Sequence, residues 1–269
     1  MGASPADPAQ IPVAILCGGR GTRLQEQTHA IPKAMVEIGG MPILWHVIRI
    51  YAAQGHRRFL LLTGYLGEQV EAFVGDRARW PEPVEIECLD TGLDTNTGGR
   101  VARAAERLTG GRFCLTYADG VADIDLAAQR RRHAELGATA TMTVVRPQSQ
   151  WGIALISDAG RVSGFKEKPR LDYWVNGGFF VCEPGFLATL GTDSVLEREP
   201  LSKLAAGGDL GAYRHDGFWE CMDTYKDAVT LNDLWKGGSP PWAVWDQATT
   251  GPGESNGHGR EAQAGGIRG

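Results

Sequence analysis

The stretch Val13-Ala14-Ile15-Leu16-Cys17-Gly18-Gly19-Arg20-Gly21-Thr22-Arg23-Leu24 decides the fold. Its first half is a short apolar run, which is typical of a buried parallel strand. Its second half is rich in glycine, whose missing Cβ lets backbone N–H groups approach a bound group closely. Such N–H groups beside two guanidinium groups favour binding of a polyphosphate. A tight strand-to-loop turn without a ligand would use the same glycines, so the stretch alone leaves both interpretations open.

A single lysine follows this turn inside the segment Pro32-Lys33-Ala34-Met35-Val36, which is otherwise apolar. An isolated lysine is usually a solvated surface group. Because this one comes within reach of the glycine-rich turn, it indicates a second phosphate contact.

The bulk composition limits the classes of protein to consider. The chain has 269 residues, 42% of them apolar, and a formal net charge of −5. This length suits one large α/β domain or two intimate ones. The mild acidity argues against a nucleic acid or an anionic membrane as partner. No run has the length of a membrane span, and Met1 to Gln10 has neither a basic start nor an apolar core, so we expect a cytoplasmic protein.

The cysteines are scattered singly along the chain, without any Cys-x-x-Cys pair. This spacing argues against a zinc site and against a disulfide framework. Most of them lie inside apolar runs, so we interpret them as small core residues. They are Cys17, Cys88, Cys114, Cys182 and Cys221.

Apolar runs alternate with helical spacing over the first half of the chain, which predicts a parallel sheet with right-handed crossovers. In such sheets ligands bind outside the carboxyl ends of the strands. The glycine-rich turn, the loop before Thr97 and the strand end at Asp119 all fall at that edge. The predicted strands are 13–16, 58–63, 84–89, 113–117 and 140–145, and the predicted helices are 43–54, 67–74, 101–108 and 128–136.

From about Arg146 onward the pattern changes to hairpins, which we expect to form the second wall of the cleft. We therefore divide a domain of residues 11–245 into parts 11–145 and 146–245, and expect disordered tails at 1–10 and 246–269. The second part has predicted strands at 152–156, 161–166, 176–182 and 213–221, and predicted helices at 196–206 and 224–236.

Two carboxylates at strand ends suggest chemistry. Asp119 and Asp223 each end an apolar, strand-like run. Brought together at a phosphate site, they would hold Mg²⁺, which takes one or two carboxylates and completes its shell with phosphate oxygens and water. Each could equally be a helix N-cap, and the residues alone leave this open.

The run Lys166-Glu167-Lys168-Pro169 also has two interpretations. It is either a charged strand end, or Lys168 binds a second phosphate while Glu167 accepts sugar hydroxyls.

From about Pro12 to Trp245 the chain resembles the sugar-1-phosphate nucleotidyltransferases, and within them the bacterial glucose-1-phosphate cytidylyltransferases. The general signature is the Gly-Gly-x-Gly-Thr-Arg-Leu turn with its downstream Pro-Lys. The matches typical of the cytidylyl branch lie in one order along the chain: VEIGG-x-PILWH (36–46), DTG (90–92), TGGR (97–100), DGVAD (119–123), EKP (167–169), NGGFFV (176–181), GFW-x-x-MDT (217–224) and PW-x-x-W (241–245).

The resemblance implies an α/β, Rossmann-like nucleotidyltransferase fold: a mixed, mostly parallel sheet with helices on both faces and a smaller β-rich sugar-binding lobe. It implies a Mg²⁺-dependent reaction in which an NTP and a sugar 1-phosphate give an NDP-sugar and pyrophosphate, with CTP and glucose 1-phosphate favoured. It also implies a homo-oligomer.

Matched position by position, the resemblance assigns site residues. Arg23 would bind the departing β,γ-phosphates, Lys33 would neutralise charge on the α-phosphate, and Lys168 would bind the sugar phosphate. Asp119 and Asp223 would bind Mg²⁺. The nucleotide-binding set is Leu16, Gly18, Gly19, Gly21, Thr22, Arg23, Thr97, Gly98, Arg100 and Asp119, of which Thr97, Gly98 and Arg100 read the base. The sugar-binding set is Gly152, Glu167, Lys168, Asn176 and Gly177.

Departures from the family pattern concentrate where substrates are chosen. They are a short segment between Val74 and Val84, Ala34 in place of proline, and altered residues at 94–96 and 150–154. The same chemistry with GTP, ATP or UTP and an unusual sugar 1-phosphate, such as a heptose, in an antibiotic or polysaccharide pathway therefore stays an alternative.

Two further alternatives belong to other classes. A non-catalytic sugar-nucleotide binder would be favoured by loss of the phosphate and metal positions, and none is lost. An NAD-dependent oxidoreductase is disfavoured because the turn lacks the Gly-x-Gly-x-x-Gly spacing.

Overall fold

The computed structural model describes residues 7–21 and 30–247. The strands of this part are β1 (Val13–Leu16), β2 (Glu37–Ile38), β3 (Met41–Pro42), β4 (Arg58–Thr63), β5 (Glu85–Asp90), β6 (Phe113–Tyr117), β7 (Gly120–Ala122), β8 (Ala140–Val145), β9 (Ile153–Ile156), β10 (Val162–Lys166), β11 (Val175–Cys182), β12 (Leu210–His215) and β13 (Trp219–Cys221). The helices are α1 (Ile43–Ala52), α2 (Gly67–Val74), α3 (Thr97–Arg103), α4 (Ala105–Leu108), α5 (Leu126–Leu136), α6 (Glu199–Gly207), α7 (Tyr225–Lys236) and α8 (Val244–Gln247).

A mixed sheet organises the molecule. Within the described ranges, seven strands form it in the order β12-β8-β11-β6-β1-β4-β5. β1 lies between β6 and β4 and runs parallel to both. β11 is antiparallel to its two neighbours, β6 and β8. The predicted fold class, an α/β fold with a mixed and mostly parallel sheet, is confirmed.

Apolar side chains of β1 alternate between two buried layers, one on each face of the sheet. Val13 and Ile15 join the core packed under α1, α2 and α7, whereas Ala14 and Leu16 join the core packed under α3, α4 and α6. Every side chain of this strand is buried, which explains why the sequence shows a continuous apolar run rather than alternation. The prediction of helices on both faces is therefore confirmed.

Local boundaries follow the sequence pattern closely in the first half of the chain. β4, β6 and β8 match the predicted strands residue for residue. The helix predicted from Val101 to Leu108 is different: α3 begins four residues earlier, at Thr97, and ends at Arg103, and α4 follows after Ala104. The early start draws Thr97 and Gly98 out of the predicted loop and into a helical turn.

The single strand predicted over 213–221 is wrong. β12 ends at His215, and a separate strand β13 begins at Trp219. The chain turns between them, where the imidazole Nε2 of His215 lies 3.0 Å from the carbonyl oxygen of Phe218. The backbone passes so close to Asp123 that a Cβ added at Gly217 would lie 2.3 Å from its carboxylate. Because of this turn, β13 lies outside the main sheet and pairs with β7.

The chain beyond residue 146 contributes strands to the main sheet as well as to smaller sheets. β11 and β12 enter the main sheet, because Phe179 to Cys182 is a buried apolar run that pairs with β6 on one side and β8 on the other. The hairpin of β9 and β10 stands apart from this sheet. All four residues of β9 are exposed.

The ends of the domain differ slightly from the predicted tails. Pro8–Gln10 form a 3-10 helix, capped by the Asp7 carboxylate and packed on Gly55, and α8 extends to Gln247. The rest of both predicted tails lies outside the described residues. Among the helices described, none combines the length and the apolar character needed to cross a bilayer.

Cysteine placement agrees with the sequence interpretation for most positions. All five cysteines are free thiols, and Cys17, Cys114 and Cys182 are buried. Cys88 is half-buried, and Cys221 lies at the candidate site described below.

A buried histidine ties the C-terminal Pro-Trp-x-x-Trp motif to α1. The imidazole Nε2 of His46 lies 2.9 Å from the carbonyl oxygen of Ile38, and the indole Nε1 of Trp242 donates to its Nδ1 at 3.2 Å. Because a carbonyl only accepts, the proton sits on Nε2 and the ring is neutral. The rings of Trp235 and Trp245 lie 4.9 and 6.1 Å away. Burial lowers the pKa of His46 to about 4.

This placement predicts a loss of stability in mild acid. In the unfolded chain His46 takes up a proton near its ordinary pKa of 6.5, whereas the folded protein resists protonation down to about 4. The free energy of unfolding should therefore be highest above pH 6.5 and fall as the pH drops, by about 2 kcal/mol at pH 5 for this residue. Urea unfolding at pH 7.5 and pH 5 measures the change. Burial also lowers the pKa of His56 to about 4. His46→Gln should remove the share of His46 in the pH dependence and leave that of His56, and an unchanged pH dependence would contradict the assignment.

Candidate active site

The glycine-rich turn leaves β1 at the carboxyl edge of the sheet and forms the floor of a cavity of about 290 Å³. Gly18 packs on the buried guanidinium of Arg100, and an added Cβ would lie 2.2 Å from Nη1. Gly21 has a φ of +61°, in the left-handed region that favours glycine. The cavity is lined by Leu16, Cys17, Gly18, Gly19, Gly21, Lys33, Ala34, Thr95, Asn96, Thr97, Arg100, Tyr117, Ala118 and Asp119.

A second cavity of about 690 Å³ adjoins the first, and the two share the lining residues Gly19, Gly21, Lys33, Thr97, Tyr117 and Asp119. Its far wall comes from β11, β13 and the loop before α6. The additional lining residues include Asn176, Gly177, Glu197, Trp219, Cys221 and Asp223. Together the two cavities make one continuous cleft, which we call the cleft below.

An ammonium group joins the two predicted metal-binding carboxylates. The Nζ of Lys33 lies 2.5 Å from Oδ2 of Asp119 and 2.6 Å from Oδ1 of Asp223. Burial disfavours the charge on Lys33, but the carboxylates of Asp119 and Asp223 outweigh it and raise the pKa of the ammonium. The three side chains are half-buried at the junction of the two cavities.

Pairing of β7 with β13 brings these carboxylates together. Gly120 pairs with Cys221, and the backbone N–H of Met222 donates to the carbonyl of Asp119 at 2.9 Å. Asp119 thus lies directly before one short strand and Asp223 soon after the other. The N-cap alternative does not apply: Asp119 precedes a strand, and the cap of α7 is Thr224, whose hydroxyl forms a capping box with Asp227.

The donor set of this cluster fits a hard divalent cation. One oxygen each of Asp119 and Asp223 and the Sγ of Cys221 all lie within 4.8 Å of one another. Two carboxylates beside a phosphate-binding turn are the protein ligands that Mg²⁺ uses, with phosphate oxygens and water completing the shell. Burial and the two nearby carboxylates raise the pKa of the Cys221 thiol, and its soft sulfur is not a ligand type that Mg²⁺ prefers.

Arg100, predicted to read the base, lines the smaller cavity from below. Its guanidinium is buried beneath the glycine-rich turn, where it donates to groups of the protein itself. These donors hold the cavity floor together, and the role of Arg100 toward the base stays a prediction. The acceptors are the carbonyl oxygens of Thr63, Gly92, Gly18 and Leu93 and the hydroxyl of Thr91, at 2.6 to 3.3 Å.

Glu197 is a cleft residue that sequence reasoning missed. Its carboxylate accepts from the Tyr117 hydroxyl at 2.5 Å and from the Thr97 hydroxyl at 2.8 Å. Burial, and then the Glu197 charge, raise the pKa of Tyr117, which also hydrogen-bonds the side chain of Asn176. Thr97, predicted to read the base, is therefore bound to a neighbouring loop. No sequence signal marks Glu197, because it lies in an ordinary charged run whose nearness to Thr97 is a tertiary contact.

Asn176 and Gly177, predicted to face the sugar, do line the cleft. The side-chain oxygen of Asn176 accepts from the N–H of Gly178, and the indole of Trp219 donates to the carbonyl of Gly177 at 2.8 Å. These bonds fix the entry of β11 opposite the glycine-rich turn. Gly98, predicted to read the base, lies in the first turn of α3 against Ser194.

The remaining predicted sugar and phosphate residues lie on the β9–β10 hairpin, away from the lining of the cleft. Gly152 packs against Phe165 and Glu167. The Nζ of Lys168 lies 3.6 Å from the carboxylate of Glu167, with both side chains at least half exposed. Lys168 has a positive φ of 43°, which is unusual for a residue with a side chain. Thr22 and Arg23 lie outside the described residues.

Comparison with known proteins gives the family. The model of the family "Nucleotidyl transferase" matches residues 13–210. The "Probable glucose-1-phosphate cytidylyltransferase" of Bacillus subtilis is 40% identical over 252 residues, covering 86% of this chain and 98% of that protein. The "Glucose-1-phosphate cytidylyltransferase" of Salmonella typhimurium is 40% identical over 254 residues, with the same coverage. The chain belongs to the nucleotidyl transferase family, among the sugar-1-phosphate nucleotidyltransferases.

Solved structures show the same fold. The crystal structure of HddC from Yersinia pseudotuberculosis complexed with GMP-PN superposes with a TM-score of 0.66 at 21% identity, covering 84% of this chain and 100% of that chain. This agreement supports the fold described above.

The buried contacts of Arg100 predict a structural role that can be measured. Arg100→Leu leaves several buried carbonyl groups without a donor, so the free energy of unfolding should fall by about 2–3 kcal/mol. Arg107→Leu, which removes an exposed ion pair with Glu87, should change it by less than about 1 kcal/mol. Urea unfolding compares the two variants. A stable Arg100→Leu protein that has lost only nucleotide affinity would show that Arg100 reads the base after all.

Proposed function

We propose that this member of the nucleotidyl transferase family uses Mg²⁺ to transfer CMP from CTP to glucose 1-phosphate, giving CDP-glucose and pyrophosphate. The observation that carries the proposal is the meeting of Lys33, Asp119 and Asp223 at the foot of the glycine-rich turn. In that cluster one ammonium and two carboxylates meet at the place in the cleft where a triphosphate would lie.

In this reaction a phosphate oxygen of the sugar 1-phosphate attacks the α-phosphorus of the nucleotide. A new P–O bond forms to the α-phosphorus, the bond between the α- and β-phosphates breaks, and pyrophosphate leaves with the bonding electrons. The attacking oxygen is already anionic, so no general base and no covalent intermediate is needed. Catalysis then consists of positioning and charge neutralisation.

Each part of the cleft has a role in that scheme. Mg²⁺, when held by Asp119 and Asp223, would neutralise charge on the phosphate oxygens. Gly18, Gly19 and Gly21 place backbone next to the phosphates, and Lys33 supplies a positive charge within reach of the same cavity. Thr22 is proposed to cradle the nucleotide together with these glycines, and Arg23 is proposed to bind the leaving β,γ-phosphates. Lys168 is proposed to bind the sugar phosphate.

The sugar side of the cleft carries hydrogen-bonding groups of both kinds. Asn176 has donors and an acceptor, and the Glu197 carboxylate accepts only. Both line the larger cavity. Glu197 is therefore proposed to accept a sugar hydroxyl, in addition to Glu167, which would reach the sugar only if the hairpin approached the cleft.

Preference for CTP and glucose 1-phosphate rests on the names of the two relatives that are 40% identical. The alternative is the same chemistry with GTP, ATP or UTP and another sugar 1-phosphate, such as a heptose. It is favoured by the departures at 94–96 and 150–154, which flank the cavity floor and the exposed hairpin. A non-catalytic sugar-nucleotide binder is disfavoured, because Lys33, Asp119 and Asp223 are all present and in contact.

A grid of nucleotides and sugar phosphates tests the proposal. Pyrophosphate release, measured with Mg²⁺ for CTP, UTP, GTP, ATP and dTTP against glucose, mannose and heptose 1-phosphates, should be highest for CTP with glucose 1-phosphate. A maximum with another pair would support the same reaction, but with the alternative specificity for nucleotide and sugar 1-phosphate. No release with any pair would contradict the catalytic proposal.

Matched variants belong in the same grid. Asp223→Asn removes a metal-binding charge, so turnover with the best pair should fall at least about 100-fold. Asp233→Asn, an exposed position on α7 paired with Lys236, should retain the activity.

A homo-oligomer is also proposed, with the β9–β10 hairpin covered by a second copy of the chain. The hairpin exposes apolar side chains on both faces, including Trp151 at 74%, Ile156 at 70% and Phe165 at 65% exposure. A two-stranded hairpin with neither face covered is only marginally stable in water. A contiguous apolar surface of this kind marks a protein contact.

Charged substitutions on the hairpin test this assembly. Ile156→Glu should shift the protein to a smaller species in sedimentation velocity, because a buried carboxylate without a partner opposes association. Arg161→Glu, a charge change in the polar turn of the same hairpin, should leave the mass unchanged. A wild-type protein that sediments as a monomer at all concentrations would contradict the proposal.

A further inference from the structure

The ammonium of Lys33 lies where a cation bound by Asp119 and Asp223 would lie. Its distances to one oxygen of each carboxylate are 2.5 and 2.6 Å. Magnesium–oxygen distances are about 2.0–2.1 Å, so a divalent cation shared by the same two oxygens would fall close to the position of Nζ. Two positive charges cannot share that position, because their repulsion at such a distance is large even in a polar cleft.

The backbone that carries Lys33 is fixed, while its side chain has room to turn. Lys33 begins a 3-10 turn after Pro32, and the next residue, Ala34, is buried in the core. The flexible four-carbon stem can rotate about this anchor. Lys33 lines both cavities of the cleft, and so do Gly19 and Gly21 of the glycine-rich turn. The side chain of Lys33 is therefore close to that turn.

We propose that Lys33 occupies the divalent-cation position in the protein without nucleotide, so that the cation binds together with the triphosphate and not before it. This inference rests on the proposed function. A cation entering alone would displace the ammonium from both of its carboxylate partners and leave it half-buried without an anion, which is costly. A nucleotide supplies that anion, because the displaced ammonium can pair with a phosphate oxygen while the cation takes the two carboxylates.

The net charge of the cluster explains why a lysine suits this exchange. Two carboxylates without a cation between them would repel each other at this separation. The ammonium compensates both charges and lets the two side chains stay close together. The pair is thus ready to accept a divalent cation at the moment when the triphosphate arrives.

Binding of Mn²⁺ alone, followed by the electron paramagnetic resonance signal of the free ion, tests the inference without any reaction. Wild-type protein without nucleotide should bind Mn²⁺ weakly. Lys33→Met, which removes the ammonium but keeps an unbranched side chain, should bind at least about tenfold more tightly. The matched control is Lys226→Met on the exposed surface of α7, which should bind like the wild type. Adding Asp223→Asn to Lys33→Met should abolish the gain.

Two results would overturn the inference. One is equal Mn²⁺ affinity in the wild type and Lys33→Met, and the other is tight binding to the wild type without nucleotide. Because loss of the ammonium leaves two close carboxylates, Lys33→Gln serves as a second variant with the same expected gain, and circular dichroism confirms that each variant is folded.

The outcome is separable from that of the proposed function. A tenfold gain in Mn²⁺ affinity together with an inactive substrate grid would retain the role of Lys33 and reject the reaction. An active grid without the gain would retain the reaction and reject the role of Lys33.

Discussion

Antiparallel pairing of two three-residue strands, β7 and β13, is the constraint on which the cleft depends. Without this pairing, the carboxylate of Asp119 would lie at the end of a central strand and that of Asp223 near the start of a distant helix. The pairing places them around a single ammonium, that of Lys33. Two negative charges held this close need a positive partner. This electrostatic requirement accounts for both the lysine contact and the fit to a divalent cation.

A buried positive charge supports that arrangement from below. The guanidinium of Arg100 bonds the ends of β1, β4 and β5 through carbonyl oxygens near Gly18, Thr63 and Gly92. These strand ends carry the glycine-rich turn and the loop before α3. Their mutual position is therefore set by one side chain with several fixed donors, which gives the cleft a rigid floor.

Residue patterns predicted the parts of this structure that depend on local burial. β4, β6 and β8 follow the sequence residue for residue, because strands buried on both faces appear as unbroken apolar runs. The cluster of Lys33, Asp119 and Asp223 could also be predicted from the sequence, because each of these residues lies in a distinctive motif. The contacts that Thr97 and Arg100 make within the protein could not be predicted in this way. Their side-chain types suit many partners, and the partners they have are carbonyl groups and the Glu197 carboxylate.

By itself, the sequence determined the class of the fold, the positions of its central strands and the chemical type of the groups at their carboxyl ends, because these depend on neighbours within a few residues. Only the tertiary structure decided the antiparallel insertion of β11 between β6 and β8, the pairing of β13 with β7, and the approach of Glu197 to Thr97. These contacts join segments far apart in the chain. Their free energy comes from the whole packed sheet, and no local pattern of residues carries that information.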